Sequence, residues 1–185
     1  MKISNIAFLG FAEAKPEDRE YQEAAATAKL LAQAGYTIVN GGGPGIMRAA
    51  TEGAHAGGGK AIGITYYPEA KEPYYEGRDQ ENKFDEEIIT DTYVERTLRI
   101  MNMSDVYLIF NGGTGTISEF GMAWGLARIH FGHHRPLVLF GNFWHEIIEA
   151  FGKGMRLRPE ELQVYHIVTT PEEALIKIKS LEAAN

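Results

Sequence analysis

The chain has 185 residues, of which 44% are hydrophobic, and this suits a single domain over residues 1–185 with a sizeable core. Its net charge of −7 and pI of about 5.4 disfavour nucleic-acid binding, because a grip on a phosphate backbone needs a basic face. Without cysteine, a signal peptide or an apolar segment approaching a membrane span, we expect a cytoplasmic protein with no membrane partner, no disulfides and no thiolate metal site.

Apolar runs typical of buried strands alternate along the chain with amphipathic runs typical of helices. This alternation predicts an α/β fold, in which a doubly wound, mostly parallel sheet carries crossover helices on both faces. The predicted strands lie near residues 3–10, 37–40, 61–65, 87–90, 105–110, 136–140 and 166–168. The predicted helices cover residues 16–34, 44–56, 92–103, 115–131, 144–153 and 171–182.

Several helix boundaries carry chemical signals. Gly35 follows the first helix, where a left-handed residue favours helix termination. Thr92 with Glu95, and Thr170 with Glu173, have the spacing of capping boxes. The polar, turn-rich residues 66–86 predict a long surface loop, which is either a lid over a site or an ordinary insertion.

Two glycine-rich loops follow predicted strands. The first glycine loop is GGGPG at residues 41–45, and the second glycine loop is GGTGT at residues 112–116. In a parallel sheet both loops emerge at the carboxyl ends of strands, where ligands bind in open α/β folds. The helix after each loop supplies free N–H groups and a positive dipole end, which suit a phosphate. Either loop alone is equally well explained as a tight turn, but the two together favour a nucleotide site.

Two common nucleotide-binding patterns are disfavoured. The first strand ends in a single glycine, Gly10, and the second ends in Asn40 where a dinucleotide-binding fold needs an acid. The sequence GGGK at residues 57–60 runs into a strand and lacks the glycine, lysine and hydroxyl spacing of a phosphate-binding P-loop. We therefore expect neither NAD binding nor ATP hydrolysis by these routes, and no cofactor.

Three stretches in combination carry a family resemblance: GGGPGIM at residues 41–47, Glu95-Arg96, and GGTGTISE at residues 112–119. Together they resemble the Lonely Guy (LOG) family of cytokinin-activating phosphoribohydrolases and related nucleotide hydrolases. The resemblance implies a Rossmann-like homodimer that cleaves the N-glycosidic bond of a nucleoside 5′-monophosphate, AMP-like or cytokinin-like, into a free base and ribose 5-phosphate.

The resemblance also implies roles for particular residues. Glu119 and Arg96 fall on the positions regarded as catalytic in the family. The family's phosphate and nucleotide contacts fall on Gly112, Gly113, Thr114, Gly115 and Thr116, and on Gly42, Gly43, Gly45 and Met47. The chain departs from the family at Asn111, where the family motif begins with proline, and at Thr97, where a lysine is frequent.

The residue types suit this chemistry, although each has a structural explanation too. A carboxylate at Glu119 would stabilise the positive charge that develops on the sugar, or simply interact with the helix dipole. Arg96 would bind the nucleotide or stabilise the departing base, whereas Arg99 has the spacing to pair with Glu95. The hydroxyls of Thr114 and Thr116 can donate to phosphate, and Thr116 can equally cap its helix.

Other functions and features stay open at this point. Because Asn111 departs from the family motif, a non-catalytic carrier of nucleotides or of the molybdenum cofactor is an alternative function. A nucleotide sensor without turnover is a third possibility. The histidines in HFGHHRP, residues 130–136, lie at a helix end without carboxylate companions, so we expect no metal site. The apolar residues Phe120, Met122 and Trp124 exceed what we expect one core to bury and thus favour a homodimer.

Overall fold

The computed structural model describes residues 2–67 and 78–184, and seven parallel strands in this part of the chain form one sheet in the order β4-β3-β2-β1-β5-β6-β7. The strands are β1 (Asn5–Leu9), β2 (Thr37–Asn40), β3 (Ala61–Tyr66), β4 (Glu86–Thr90), β5 (Val106–Ile109), β6 (Leu137–Phe140) and β7 (Tyr165–Val168). The helices are α1 (Arg19–Gln33), α2 (Ile46–Ala56), α3 (Tyr93–Met103), α4 (Thr114–Ile129), α5 (Phe143–Gly154) and α6 (Pro171–Ala183), with a short 3-10 turn at Pro159–Leu162.

The sheet separates two apolar layers. Residues of α1, α2 and α6 cover one face, and residues of α3, α4 and α5 cover the other. Neighbouring residues of β1 pack on opposite faces of the sheet, with Phe8 in the first layer and Leu9 in the second. Every residue of β5 and β6 is buried, as expected of central strands in a parallel sheet that is covered on both sides. The predicted α/β fold with helices on both faces is confirmed.

The predicted helix ends agree with the structure to within three residues. Thr92 and Thr170 cap their helices, but neither capping box is complete, because Glu95 and Glu173 do not accept from the N-cap N–H. Gly35, just beyond α1, has a φ of 95°. The side-chain oxygen of Thr92 accepts a hydrogen bond from the Glu95 N–H at 3.1 Å, and that of Thr170 accepts from the Glu173 N–H at 3.2 Å. The Glu95 carboxylate accepts from the Asp91 N–H and forms no ion pair with Arg99 among the described residues, so that expected pairing is wrong.

The aromatic residues of α4 face inward rather than outward. Phe120 and Trp124 are buried, and the Phe120 ring lies 4.9 Å from that of Trp144 on α5. The expectation that these aromatic residues exceed the capacity of one core is therefore wrong, because α5 covers them. The large exposed residues of α4 are Ile117 and Ile129 instead.

The carboxyl ends of β1, β2 and β5 meet at the point where the strand order reverses. β1 pairs with β2 on one side and with β5 on the other, which creates the crevice where open α/β folds bind ligands. The backbone of Phe11, just after β1, forms hydrogen bonds with a residue next to each glycine loop. Its N–H donates to the Asn111 carbonyl at 2.9 Å, and its carbonyl accepts from the Ile46 N–H at 3.0 Å.

The predicted long loop at residues 66–86 is shorter in the structure, since Tyr66 ends β3 and Glu86 begins β4. Residues 68–77, where a lid would lie, are outside the described residues. The following segment packs against the first glycine loop: the Asp79 N–H donates to the Gly42 carbonyl at 3.0 Å, and the Asn82 amide donates to the Gly43 carbonyl at 2.8 Å. This end of the loop is therefore anchored close to the crevice.

Candidate nucleotide site

A cavity of about 470 Å³ opens at the carboxyl ends of β1, β2 and β5. It brings Glu119 and Arg96, which are 23 residues apart in the sequence, to one site with the second glycine loop. The lining residues are Phe8, Leu9, Gly10, Phe11, Ala12, Gly41, Met47, Tyr66, Tyr93, Arg96, Gly113, Thr114, Gly115, Thr116, Ser118 and Glu119.

The second glycine loop presents the open N-terminus of α4. Gly113 is the N-cap residue and offers no side-chain cap, and the first described hydrogen bond of this turn runs from the Ile117 N–H to the Gly113 carbonyl at 3.0 Å. The N–H groups of Thr114, Gly115 and Thr116 therefore have no acceptor within residues 2–67 and 78–184. Three free donors and the helix dipole form a cradle suited to an anion.

The two threonines of this loop lie in different surroundings. The Thr114 side chain is exposed at the cavity, whereas Thr116 is only 5% exposed. Gly112 lies directly against Thr116, because a Cβ on Gly112 would be 2.1 Å from the Thr116 Oγ1. Gly112 itself does not line the cavity. Its lack of a side chain allows Thr116 to pack directly against the backbone of the loop.

Glu119 places a buried carboxylate at the floor of the cavity. The residue is 6% exposed, and its carboxylate accepts no hydrogen bond from the described part of the chain. Burial raises the pKa of Glu119 to about 7, while the nearby Arg96 guanidinium acts to lower it. Glu119 is beyond the first turn of α4, so an interaction with the exposed helix terminus does not explain its position.

Arg96 is held over the first glycine loop by backbone carbonyls. Its Nε donates to the Gly41 carbonyl at 3.2 Å and to the Ile64 carbonyl at 3.1 Å, and its Nη2 lies 3.5 Å from the Met47 Sδ. A Cβ on Gly41 would fall 1.6 Å from Nη2, so glycine is needed there for the guanidinium to fit. The arginine is thereby fixed with its charge towards Glu119, whereas Arg99 is exposed.

The remaining predicted glycines of the first glycine loop are not part of the cavity lining. Gly42 has a φ of 72°, and a Cβ there would be 2.4 Å from the Thr65 Cγ2. Gly45 has a φ of 62°, and a Cβ there would be 2.3 Å from the Phe11 carbonyl oxygen. Gly42, Gly43 and Gly45 do not line the cavity, while Met47 does. Direct nucleotide contacts by the three glycines stay a prediction; the structure gives Gly42 and Gly45 a packing role.

Four aromatic residues that line the cavity were not predicted from the sequence: Phe8, Phe11, Tyr66 and Tyr93. A signal existed for two of them. Tyr93 precedes Arg96 by three residues and so lies on the same face of α3. Phe11 follows the central strand at the topological switch point. These rings and Met47 give one part of the cavity an apolar character that suits a flat base.

No group of three or more His, Asp or Glu side chains in residues 2–67 and 78–184 is arranged to hold a metal ion. Burial lowers the pKa of His134, one of the three histidines near the end of α4. None of the described helices combines the length and apolarity required to cross a membrane.

Comparison with known proteins places this geometry in a family context. Residues 3–163 match the SLOG cluster4 family. An uncharacterized protein of Archaeoglobus fulgidus is 34% identical over 124 residues, which cover 66% of this chain and 75% of that protein. The cytokinin riboside 5′-monophosphate phosphoribohydrolase of Mycobacterium tuberculosis is 29% identical over 177 residues, which cover 94% of this chain and 88% of that protein.

Among solved structures, the molybdenum cofactor binding protein of Rippkaea orientalis superposes with a TM-score of 0.72. The alignment covers 98% of both chains at 23% sequence identity. This similarity supports the Rossmann-like fold of the chain.

Proposed function

The chain belongs to the SLOG cluster4 family, and on that premise we propose that it hydrolyses the N-glycosidic bond of a nucleoside 5′-monophosphate, AMP-like or cytokinin-like. The products are the free base and ribose 5-phosphate. The Mycobacterium tuberculosis relative, whose name describes such a phosphoribohydrolase, supports this proposal over nearly the whole chain.

One observation carries the proposal: a buried carboxylate without a donor faces an arginine in a cavity that also holds an open helix N-terminus. A protein that only binds a phosphate has no need for the Glu119 carboxylate, which is costly to bury in its charged form. A glycosidase does need it, because the transition state places positive charge on the ribose beside it.

We assign a separate role in the reaction to each part of the site. The phosphate binds at the N–H groups of Thr114, Gly115 and Thr116, which places the ribose towards Glu119 further along the same helix. As the C1′–N bond breaks, the ionised carboxylate stabilises the sugar cation and takes a proton from the attacking water, whose oxygen bonds to C1′. The Arg96 guanidinium stabilises the electron pair that leaves with the base, which is then protonated from solvent.

The direct test is to incubate the purified protein with AMP and measure adenine and ribose 5-phosphate. Equal amounts of both products are expected to accumulate beyond one equivalent of protein. AMP binding without release of adenine would contradict the proposal. It would instead support the alternative of a nucleotide or molybdenum-cofactor carrier, for which the Rippkaea orientalis structure is a precedent at the level of fold.

We further propose that the protein is a homodimer, as the LOG resemblance implies. An uncharged stripe of α4 is exposed, in which Ile117, Gly121, Gly125 and Ile129 recur every four residues. Val94 on α3 is exposed as well, and the stripe begins with Ile117 near the N-terminus of α4. A second copy packed about a two-fold axis would cover this uncharged surface on both subunits.

Light scattering tests the dimer. Gly121→Lys places a charge at the centre of the stripe and is expected to give monomers at micromolar concentration. Gly152→Lys, at another exposed helical glycine with open space around it, serves as the matched control and is expected to remain dimeric. A monomeric wild-type protein would contradict the proposal.

A further inference from the structure

Tyr93 places a phenolic hydroxyl next to the open N-terminus of α4. It is the first residue of α3 and lines the cavity. Its hydroxyl oxygen lies 3.5 Å from where a Cβ on Gly115 would be, and the Gly115 N–H is one of the three free donors of the cradle. The hydroxyl is therefore beside the space that a bound phosphate would occupy.

The hydrogen bonds around this hydroxyl define where its proton points. The Tyr93 oxygen is 3.2 Å from the Ser118 Oγ, and the Ser118 hydroxyl donates to the Gly115 carbonyl at 2.8 Å. A serine hydroxyl has a single proton to donate, and Ser118 donates it to the Gly115 carbonyl. Tyr93 is therefore the donor in its contact with Ser118. A distance of 3.2 Å is long for an O–H···O bond, so this resting contact is weak.

The ring that carries the hydroxyl is fixed by its neighbours. The Arg96 Cζ lies 5.6 Å from the ring centroid, and the Tyr66 ring packs edge-on at 6.0 Å. The same cavity contains the Glu119 carboxylate, which is about nine-tenths buried and without a donor in the described residues. The Tyr93 hydroxyl has only a weak bond to a neutral acceptor. It would form a stronger hydrogen bond with a charged phosphate oxygen, since charge-assisted hydrogen bonds are shorter and stronger.

We propose that the Tyr93 hydroxyl is a further phosphate donor and a determinant of the preference for phosphorylated over unphosphorylated ligands. Ser118 holds the hydroxyl in the empty site and releases it when the phosphate binds. The proposal rests on the phosphate-binding part of the proposed function, and it requires no turnover.

Calorimetry with ribose 5-phosphate and with adenosine tests this role on the full chain. Tyr93→Phe keeps the ring and removes only the hydroxyl. It is expected to weaken ribose 5-phosphate binding by about tenfold or more, because hydrogen bonds to charged groups contribute about 1.5–3 kcal/mol. Adenosine binding is expected to be unchanged. Tyr165→Phe, on the distant strand β7, is the matched control and is expected to bind both ligands like the wild type.

Ser118→Ala separates phosphate donation from a merely structural contact between α3 and α4. It removes the resting acceptor of Tyr93 and leaves the phenol, so ribose 5-phosphate affinity is expected to be retained. Equal losses of affinity in Tyr93→Phe and Ser118→Ala would overturn the proposal and show a structural contact instead. Wild-type affinity in Tyr93→Phe, or no ribose 5-phosphate binding by the wild type, would overturn it as well.

The same variants distinguish this inference from the proposed hydrolysis. If ribose 5-phosphate binding follows the expected pattern and AMP still releases no adenine, the role of Tyr93 holds and the proposed hydrolysis fails. If adenine is released and Tyr93→Phe leaves the KM for AMP unchanged, the hydrolysis holds and the role of Tyr93 fails.

Discussion

The two glycine loops follow the strands on either side of β1 at the same edge of the sheet, yet they differ in what surrounds them. In the first loop, added Cβ atoms on Gly41, Gly42 and Gly45 would all collide with other parts of the protein. In the second, only a Cβ on Gly112 would collide, with the Thr116 side chain of the same loop. A Cβ on Gly113 would meet nothing within 4 Å, and one on Gly115 would make only an ordinary contact. The first loop is filled by protein atoms, and the second is open.

This difference indicates that glycine has two separate uses at one site. The first loop needs small residues so that Arg96, Thr65 and Phe11 can approach the backbone, which fixes the arginine. The second loop needs them so that a ligand can approach the N–H groups of α4. Under the proposed function, the first loop would position a catalytic group, and the second would bind substrate. Each of the following experiments tests one side of this division.

The largest expected effect is at Glu119, on the helix that the open loop begins. Glu119→Gln preserves the size of the side chain and removes its charge, so base release from AMP is expected to fall by about a thousandfold or more. AMP binding, measured by calorimetry, is expected to remain. Glu146→Gln is the matched control, because Glu146 is an exposed carboxylate in the first turn of α5. Near wild-type turnover in Glu119→Gln would remove Glu119 from the mechanism.

The pH dependence of the reaction follows from the same carboxylate. Burial raises the pKa of Glu119 to about 7, so the catalytic, ionised form becomes dominant only above that pH. We expect kcat/KM for AMP to rise about tenfold per pH unit below pH 7 and to level off above it. A kcat/KM that is flat between pH 5 and pH 8 would contradict the assignment.

Stability is expected to change with pH in the opposite direction. A carboxyl whose pKa is raised by folding stabilises the native state fully below its unfolded pKa of 4.5, and this stabilisation is lost as pH rises through about 7. The neutral Glu119→Gln avoids that loss. Relative to wild type, its free energy of unfolding is expected to improve by about 3 kcal/mol between pH 4 and pH 8. Denaturant titrations at the two pH values measure the difference.

The comparison between the loops is tested most directly by adding one methyl group to each. Gly41→Ala displaces the Arg96 guanidinium, and kcat/KM for AMP is expected to fall by roughly fiftyfold, equivalent to about 2–3 kcal/mol. Gly113→Ala has space for its methyl group, so its melting temperature is expected to match wild type while its KM for AMP rises. If the two variants lose the same stability and activity, the division between a packed and an open loop is wrong.

A smaller effect is expected from the threonine hydroxyls of the open loop. Thr114→Ala combined with Thr116→Ala is expected to reduce the preference for AMP over adenosine by about tenfold, since two hydroxyl donors are lost. The preference is not abolished, because the three N–H groups remain. Calorimetry with both ligands measures the ratio. Wild-type protein that binds adenosine as tightly as AMP would show that the open loop is not a phosphate cradle.

Local sequence signals were sufficient for the fold and for the position of the candidate site. The apolar run from Val106 to Ile109 and the glycines after it predict a buried strand, a loop and a helix, because each signal acts over a few residues. The distinction between the two loops was not predictable in this way. It depends on Thr65 and Arg96, which reach the first loop only after β3 and α3 have packed.

Tertiary packing also explains the two main failures of the sequence argument. Phe120 and Trp124 were expected to be surplus to the core because the aromatic cover from α5 is not visible in α4 itself. Tyr93 was overlooked because its spacing to Arg96 indicates only the face of α3 on which it lies, and not that its hydroxyl meets α4. Its orientation towards Ser118 is a product of how α3 and α4 pack at the sheet edge.

The smallest expected effect concerns Asn111, where the chain departs from the LOG motif. The Asn111 Oδ1 accepts a hydrogen bond from the Gly112 N–H at 2.8 Å, which occupies a donor next to the cradle. The Asn111 N–H has no acceptor in the described residues, so proline at this position removes no backbone hydrogen bond. Asn111→Pro frees the Gly112 N–H, and AMP affinity is expected to rise by about twofold to tenfold.

Asn111→Ala separates the two consequences of that substitution. It frees the same N–H without stiffening the chain, so an equal gain in both variants assigns the effect to the freed donor. A gain in Asn111→Pro alone assigns it to the fixed φ of proline, which reduces the disorder that binding must remove. Calorimetry with AMP measures both variants. Weaker binding in both would show that Asn111 supports the open conformation of the loop, and that its bond to Gly112 is part of the cradle rather than a competitor for it.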